Sequence, residues 1–194
     1  MKFRLMLAVL LGAALAAADL PTIAVMPISG GFSRISMYST TPGHENSPNS
    51  FNNRLADRVV MALVRSRKFQ VLERTQLDHL LEEGHFAISG LADSSRAITM
   101  GKQLGAQFVV LGAYDAEVLN IERNPRNCSG TMHIALRIVN TETGVITGLI
   151  EVAPTAEGQP AMQTVDAMLN DLGQRLDAVM PDFLEATTLE PAKG

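Results

Sequence analysis

The sequence predicts an α/β fold: a single domain with a mixed sheet, βαβ crossovers at the N-terminal side, an antiparallel meander and a C-terminal helix. Three observations carry this reading. Short apolar, strand-like runs alternate with helical periodicities as far as residue 105. A continuously apolar run, Phe108 to Leu111, then marks a strand covered on both faces. Two strand patterns next meet at a Gly-bearing turn, and one long amphipathic stretch closes the chain.

The first eighteen residues read as an address. Lys2 and Arg4 precede an apolar, Gly and Ala run from Leu5 to Leu15, and Ala16-Ala17-Ala18 places small residues at a cleavage point. That is the layout of a secretory signal peptide cut after Ala18, since an apolar run of about 11 residues falls short of the roughly 20 a spanning helix needs. The domain is expected over residues 19–185, with 186–194 as a flexible tail.

Thr22 to Met26, closed by Pro27, reads as a buried strand. Ser29 to Ser50 is rich in Gly, Ser, Pro and Asn and reads as a long loop. Ser50 or Asn52 can cap a helix carrying Phe51, Leu55, Val59, Ala62 and Leu63 at helical spacing. Phe69 to Glu73 is a second strand. Thr75 and Asp78 form a variant capping box for a helix through Leu77, Leu80 and Leu81, ended by Gly84. Ser94 caps the next helix, which Gly105 stops. After the Phe108 strand, Met132, Ile134, Leu136 and Ile138 point one way and His133, Ala135 and Arg137 the other. Asn140 to Gly144 is a hairpin turn, and Val145 to Val152 the returning strand. The last helix is expected from Ala161 to Met180, with Val165, Met168, Leu169, Leu172, Leu176 and Val179 on one stripe and Pro181 ending it.

Composition excludes several function classes. The 194 residues are 46% hydrophobic and 19% charged, so the chain folds. A net charge of −4 argues against nucleic acid as partner, because phosphate binding rests on clustered surplus cations. Aromatics are 5% with no Trp, which leaves few stacking platforms. One cysteine builds neither an internal disulfide nor a thiolate zinc site.

Motifs for chemistry are thin, and no catalytic, cofactor or metal residue is assigned. His79 and Glu83 lie four apart on one helix face, but His85 falls beyond Gly84, so the two-histidine zinc pattern is not met and a solvated face is expected. Ser29-Gly30-Gly31 follows a strand without GxGxxG or a phosphate-loop lysine, so no nucleotide site is expected. No G-x-S-x-G is present. Cys128 lies in the polar stretch Asn124 to Gly130 and reads as a free surface thiol. One charge pattern stands out. Arg54, Arg58 and Arg65 fall within about 40° of one another at 100° per residue, with Arg67 and Lys68 beyond them. On an acidic chain they form a candidate docking surface for an anionic partner or headgroup, against the alternative of a solvated face balanced by Asp57 and nearby carboxylates.

Four stretches in order carry a resemblance: Phe69 to Glu83, Ile88 to Asp93, Gly101 to Ala106 leading into Val109 to Gly112, and Leu136 to Gly144. Together they resemble the curli production assembly/transport (CsgG-like) family over roughly residues 22–152. Looser relatives are the LpoB-like activators of peptidoglycan synthases and the amino-terminal domain of TolB. The resemblance implies a non-enzymatic envelope protein with a compact α/β periplasmic domain. It implies envelope proteins or a second copy as partners, peripheral contact with the outer membrane, and no cofactor. The family's channel is a lipoprotein that inserts two long β-hairpins per subunit. This chain has no cysteine after its apolar run to acylate. The arms around Asn124–Gly130 and Gly144 are expected to be unable to span a bilayer, leaving the periplasmic domain without its pore. Two alternatives stand beside this reading: an activator of a peptidoglycan synthase, and an exported hydrolase using Cys128 or the His79/Glu83 face.

Overall fold

The computed structural model describes residues 20–35, 48–73, 77, 94–121, 124 and 126–188. The predicted signal segment, the helix from Thr75 to Gly84 and its His79/Glu83 face lie outside the described residues, except for Leu77, which is helical and buried.

A long central hairpin organises the sheet. β4 (Phe108–Asn120) and β5 (Cys128–Asn140) pair antiparallel along their whole lengths, from Phe108 opposite Asn140 to Asn120 opposite Cys128. Along the outer side of β4 lie two strands end to end: β1 (Thr22–Val25) pairs parallel with Phe108–Val110, and β2 (Ser29–Ile35) with Ala113–Val118. β5 repeats the arrangement on its own outer side. There β6 (Ile146–Val152) pairs with Ile134–Val139 and β7 (Thr155–Gln159) with Cys128–Thr131. A proline sits at each join, Pro27 and Pro154, where a missing N–H lets a strand break off without orphaning a donor. β3 (Gln70–Val71) adds parallel outside β1. The α/β class, the N-terminal crossovers, the antiparallel meander and the C-terminal helix are as the sequence predicts.

Alternation along these strands builds two cores. On one face Ile23, Val25, Val110, Tyr114, Met132, Ile134, Leu136 and Ile138 meet α1 (Pro48–Ser66) and α3 (Ala161–Thr188). On the other, Ala24, Met26, Val109, Leu111 and Val139 meet α2 (Ser94–Gln103) and Leu77. The α3 stripe of Met168, Leu169, Leu172 and Leu176 is fully buried. At ~1.5–3 kcal/mol per side chain, that stripe supplies on the order of 10 kcal/mol of gross burial, an upper bound because the unfolded chain is not fully extended. α3 comes this close to the sheet because Gly130 has no side chain: a Cβ there would lie 2.7 Å from both Met168 Sδ and Thr164 Cγ2.

The structure corrects several sequence expectations. Ser29–Ile35 is a strand, and the loop reading from Ser29 to Ser50 fails at both ends because α1 already begins at Pro48, ahead of both proposed caps. Proline suits a first helical turn, where its absent N–H would bond to nothing. Gly30 explains the strand: with φ +153° it presses onto Tyr114, whose carbonyl oxygen would lie 2.1 Å from a Cβ. Its backbone freedom serves strand pairing. α3 runs through Pro181 to Thr188, past the predicted stop. Val179, assigned to the buried stripe, is 37% exposed, and the buried residue at that level is Met180. β7, with one half-buried apolar residue in five, was not anticipated. Cys128 opens β5 and is fully buried, so it is not a surface thiol; the pairing of β4 with β5 extends to its level and draws it into the core.

Candidate functional site

The Arg54, Arg58 and Arg65 stripe faces the last helix of its own chain. Arg54 forms an ion pair with Asp166. Arg58 Nη2 donates to Asn170 Oδ1 at 2.8 Å. Arg65 pairs with Asp177. Each partner lies 112 residues beyond its arginine, so α1 and α3 run parallel and in register, and one ladder of side chains crosses between them. Gly173 lies on the same seam, where a Cβ would meet Arg58 Cδ at 3.7 Å. Helical spacing on both elements produces the ladder, since residues four and seven apart share a face. The Arg54 and Asp166 side chains are 46% and 53% exposed, which caps each pair at about 0–1 kcal/mol. The seam is held by the apolar stripes beneath it, and the charged rung is an accessible surface of both signs. At the end of α1 Arg67 takes a left-handed conformation, φ 54°, and its N–H donates to Val64 O, turning the chain out of the helix.

A second surface is the part of the sheet that α2 does not reach. Ala113, Asp115, His133, Ala135 and Glu151 line an open depression of about 620 Å³. Rows across the strands fix the arrangement: Asp115 stands opposite His133, and Ala135 stands between Ala113 and Glu151. Ser33 Oγ approaches Asp115 Oδ2 and Ala116 O, both at 3.3 Å. Its hydroxyl is thus shared between a carboxylate and a backbone carbonyl, which does not activate it as a nucleophile in the manner of an imidazole partner. The alternation that points His133 away from Met132 was legible in the sequence. Asp115, Glu151 and Ser33 were not singled out, since nothing local sets them beside His133.

Two further polar side chains, Cys128 and Tyr114, are packed into the core. Cys128 Sγ donates to Asn120 Oδ1 at 3.2 Å from within the core, and a thiol so placed is screened from solvent. Tyr114 packs its ring among Phe32 and Phe51 and donates its hydroxyl to Asn52 Oδ1 at 2.8 Å. Burial pushes its phenol up from 10.0 to about 12. Among the described residues no group of three His, Cys, Asp or Glu side chains is placed to hold a metal ion, and no helix is long and apolar enough to cross a membrane.

Comparison with known proteins bears on this architecture. The family described as curli production assembly/transport component CsgG matches residues 9–168. No curated protein matches the chain. Among solved structures, the fold is similar to lipoprotein GNA1162 from Neisseria meningitidis, at TM-score 0.55 and 8% identity, covering 81% of this chain and 99% of that one. The hypothetical protein CT253 from Chlamydia trachomatis gives TM-score 0.50 and 13% identity, over 84% of this chain and 97% of that one. The LpoB C-terminal domain from Salmonella enterica gives 0.43 and 18%, over 72% and 86%. At these identities the likeness is one of fold.

Proposed function

The chain belongs to the curli production assembly/transport component CsgG family, and from that membership we propose that it is an exported, non-enzymatic envelope protein acting in outer-membrane assembly or export through protein contacts. The family match over residues 9–168 is the observation that carries the reading. The central hairpin supports a periplasmic domain without a pore. Its arms are 13 residues each, above the about 9–11 that a membrane strand needs. Neither arm, however, offers a free apolar row. The apolar faces of β4 and β5 lie under α1 and α3, and their other faces carry Asp115, Glu117, His133 and Arg137.

The contact surface in this proposal is the α1/α3 seam with Arg54, Arg58 and Arg65. An acidic partner would compete there with Asp166 and Asp177 for the same guanidinium groups, so its binding weakens as salt rises. The mature chain, starting at Asp19 in the periplasm, is the form that would meet such a partner.

Affinity capture from envelope extract with the tagged mature chain tests the reading. Recovery of a secreted fibre subunit or an outer-membrane export component, lost on Arg54→Glu with Arg58→Glu, is the expected result. Recovery of a penicillin-binding protein instead would assign the chain to control of cell-wall synthesis. Substrate turnover abolished by Cys128→Ala would overturn the non-enzymatic reading.

A further inference from the structure

We infer that Arg58 and the open notch at Gly173 form a subsite of the α1/α3 seam for a protein segment presenting one carboxylate beside one apolar side chain. The inference deepens the proposed function by naming what the partner carries, and it rests on the chain working through protein contacts.

The rungs of the ladder are not equivalent. Arg54 and Arg65 each meet a carboxylate, Asp166 and Asp177. Arg58 meets a neutral amide, with Asn170 Oδ1 accepting from its Nη2 at 2.8 Å. Among the described residues Arg58 forms no ion pair with a carboxylate. Asp57 is adjacent in sequence, which sets it about 100° round the helix from Arg58. The ladder thus carries three guanidinium groups against two carboxylates, and the surplus charge centres on Arg58. A guanidinium offers five N–H donors in a planar fork, so one bond to Asn170 leaves donors for an incoming carboxylate.

The next level of the seam is open. Gly173 lies three residues beyond Asn170, about 4.5 Å along α3. At the same 112-residue offset as the other rungs it stands level with Met61, which is 42% exposed. The fold does not call for glycine here. A helix interior is less stable with glycine than with alanine, and among the described residues a Cβ at Gly173 would meet only Arg58 Cδ, at 3.7 Å, an ordinary contact. Gly130 contrasts with it, because a Cβ there would collide with Met168 and Thr164. The space over Gly173, bordered by Met61 and the methylene stem of Arg58, suits an apolar side chain whose neighbouring carboxylate reaches the guanidinium. On a partner helix those two groups lie three or four residues apart on one face.

Charge order along α3 selects the kind of partner. Asp166 and Asp177 flank the subsite, each four residues or about 6 Å beyond it. A uniformly anionic surface, such as phospholipid headgroups, would press charge against both aspartates. A single carboxylate on a protein meets only the surplus cation.

NMR titration of the mature chain tests the inference. The probe is an alanine-based helical peptide of about 16 residues carrying Glu and Leu three positions apart. The expected result is saturable shifts at the Arg58, Met61 and Gly173 amides, with affinity falling about fivefold on Arg58→Gln or on replacing the peptide's Glu by Gln. Asn170→Asp is the sharper variant. It gives Arg58 a carboxylate of its own, so it should weaken the peptide to a similar extent while the unfolding temperature holds or rises. Gly173→Leu fills the notch and should also weaken binding, and Gly173→Ala should raise the unfolding temperature. Absence of peptide binding, binding unchanged by Asn170→Asp, an unfolding temperature lowered by Gly173→Ala, or tighter binding to phosphatidylglycerol vesicles than to the peptide overturns the subsite. Capture from envelope extract separates the two claims. A chain that captures an envelope protein equally well after Asn170→Asp keeps the proposed function and loses the subsite, and a chain that binds the peptide but captures nothing does the reverse.

Discussion

Reversing Arg54 separates what the ladder does for the fold from what it does for a partner. Arg54→Glu removes an attraction to Asp166 and sets two carboxylates across the α1/α3 seam. With both side chains about half exposed, the lost attraction and the new repulsion are each about 0.5 kcal/mol, some 1 kcal/mol together. For a domain of this size that lowers the unfolding temperature by about 2–4 °C at low ionic strength. In 1 M salt the screening length drops to about 3 Å and most of the difference should vanish. Asp166→Arg in the same chain restores the pair with its signs exchanged, so the double variant should melt within about 1 °C of the parent. Partner capture gives the second readout. If an acidic partner reads the arginines, the swapped chain recovers stability but moves the positive charge to α3, and capture stays weakened. An unchanged melting temperature at low salt, or a swap that fails to rescue, would refute the ladder as an interaction between the helices.

Three further outcomes are expected. Val110 is buried in β4 against α1 and α3, so Val110→Asp puts an unpaired carboxylate in the core at a cost of several kcal/mol, comparable with the stability of the whole domain, and circular dichroism should show no cooperative unfolding. Tyr114 ionises near pH 12 in the fold and near 10 when unfolded, so the stability its neutral form contributes is complete below pH 10 and is lost as pH rises toward 12; absorbance titration should show its phenolate forming last, and Tyr114→Phe should abolish that step. Mass spectrometry of the protein recovered from cells should give a chain beginning at Asp19 with no acyl group, and an intact Met1 or a lipidated terminus would count against export by signal cleavage.

How much of this was legible in the sequence follows from how local each signal is. Val109 to Leu111, the alternation from Met132 to Ile138 and the α3 stripe are repeats of two or three to four residues, and each took its expected place except Val179, which the fold leaves exposed. The turn at Gly144 was equally readable, since it is closed within five residues by Gly144 N–H donating to Asn140 O. β2 was not readable. Its Ser-Gly-Gly opening carries no strand propensity, and it becomes a strand only because β4, more than eighty residues away, offers it an edge. Cys128 misled for the same reason: its neighbours are turn formers, yet its partner Asn120 extends the ladder to its level. Pro181 breaks helices in isolation, but α3 is already anchored by Leu172, Leu176 and Met180, and tertiary packing overrides the local preference. The arginine stripe was legible as a stripe. Its facing row of Asp166, Asn170 and Asp177 was not, because a 112-residue offset has no local signature.

The central claim is that this chain works by touching another envelope protein. Its most direct test is site-specific cross-linking in intact cells from a photoreactive residue at position 58, on the accessible seam, with the products identified by mass spectrometry. The account predicts a cross-link to a secreted fibre subunit or an outer-membrane export component that fades when Arg54 is reversed. Cross-links found only within the chain, or to cytoplasmic proteins, would contradict it.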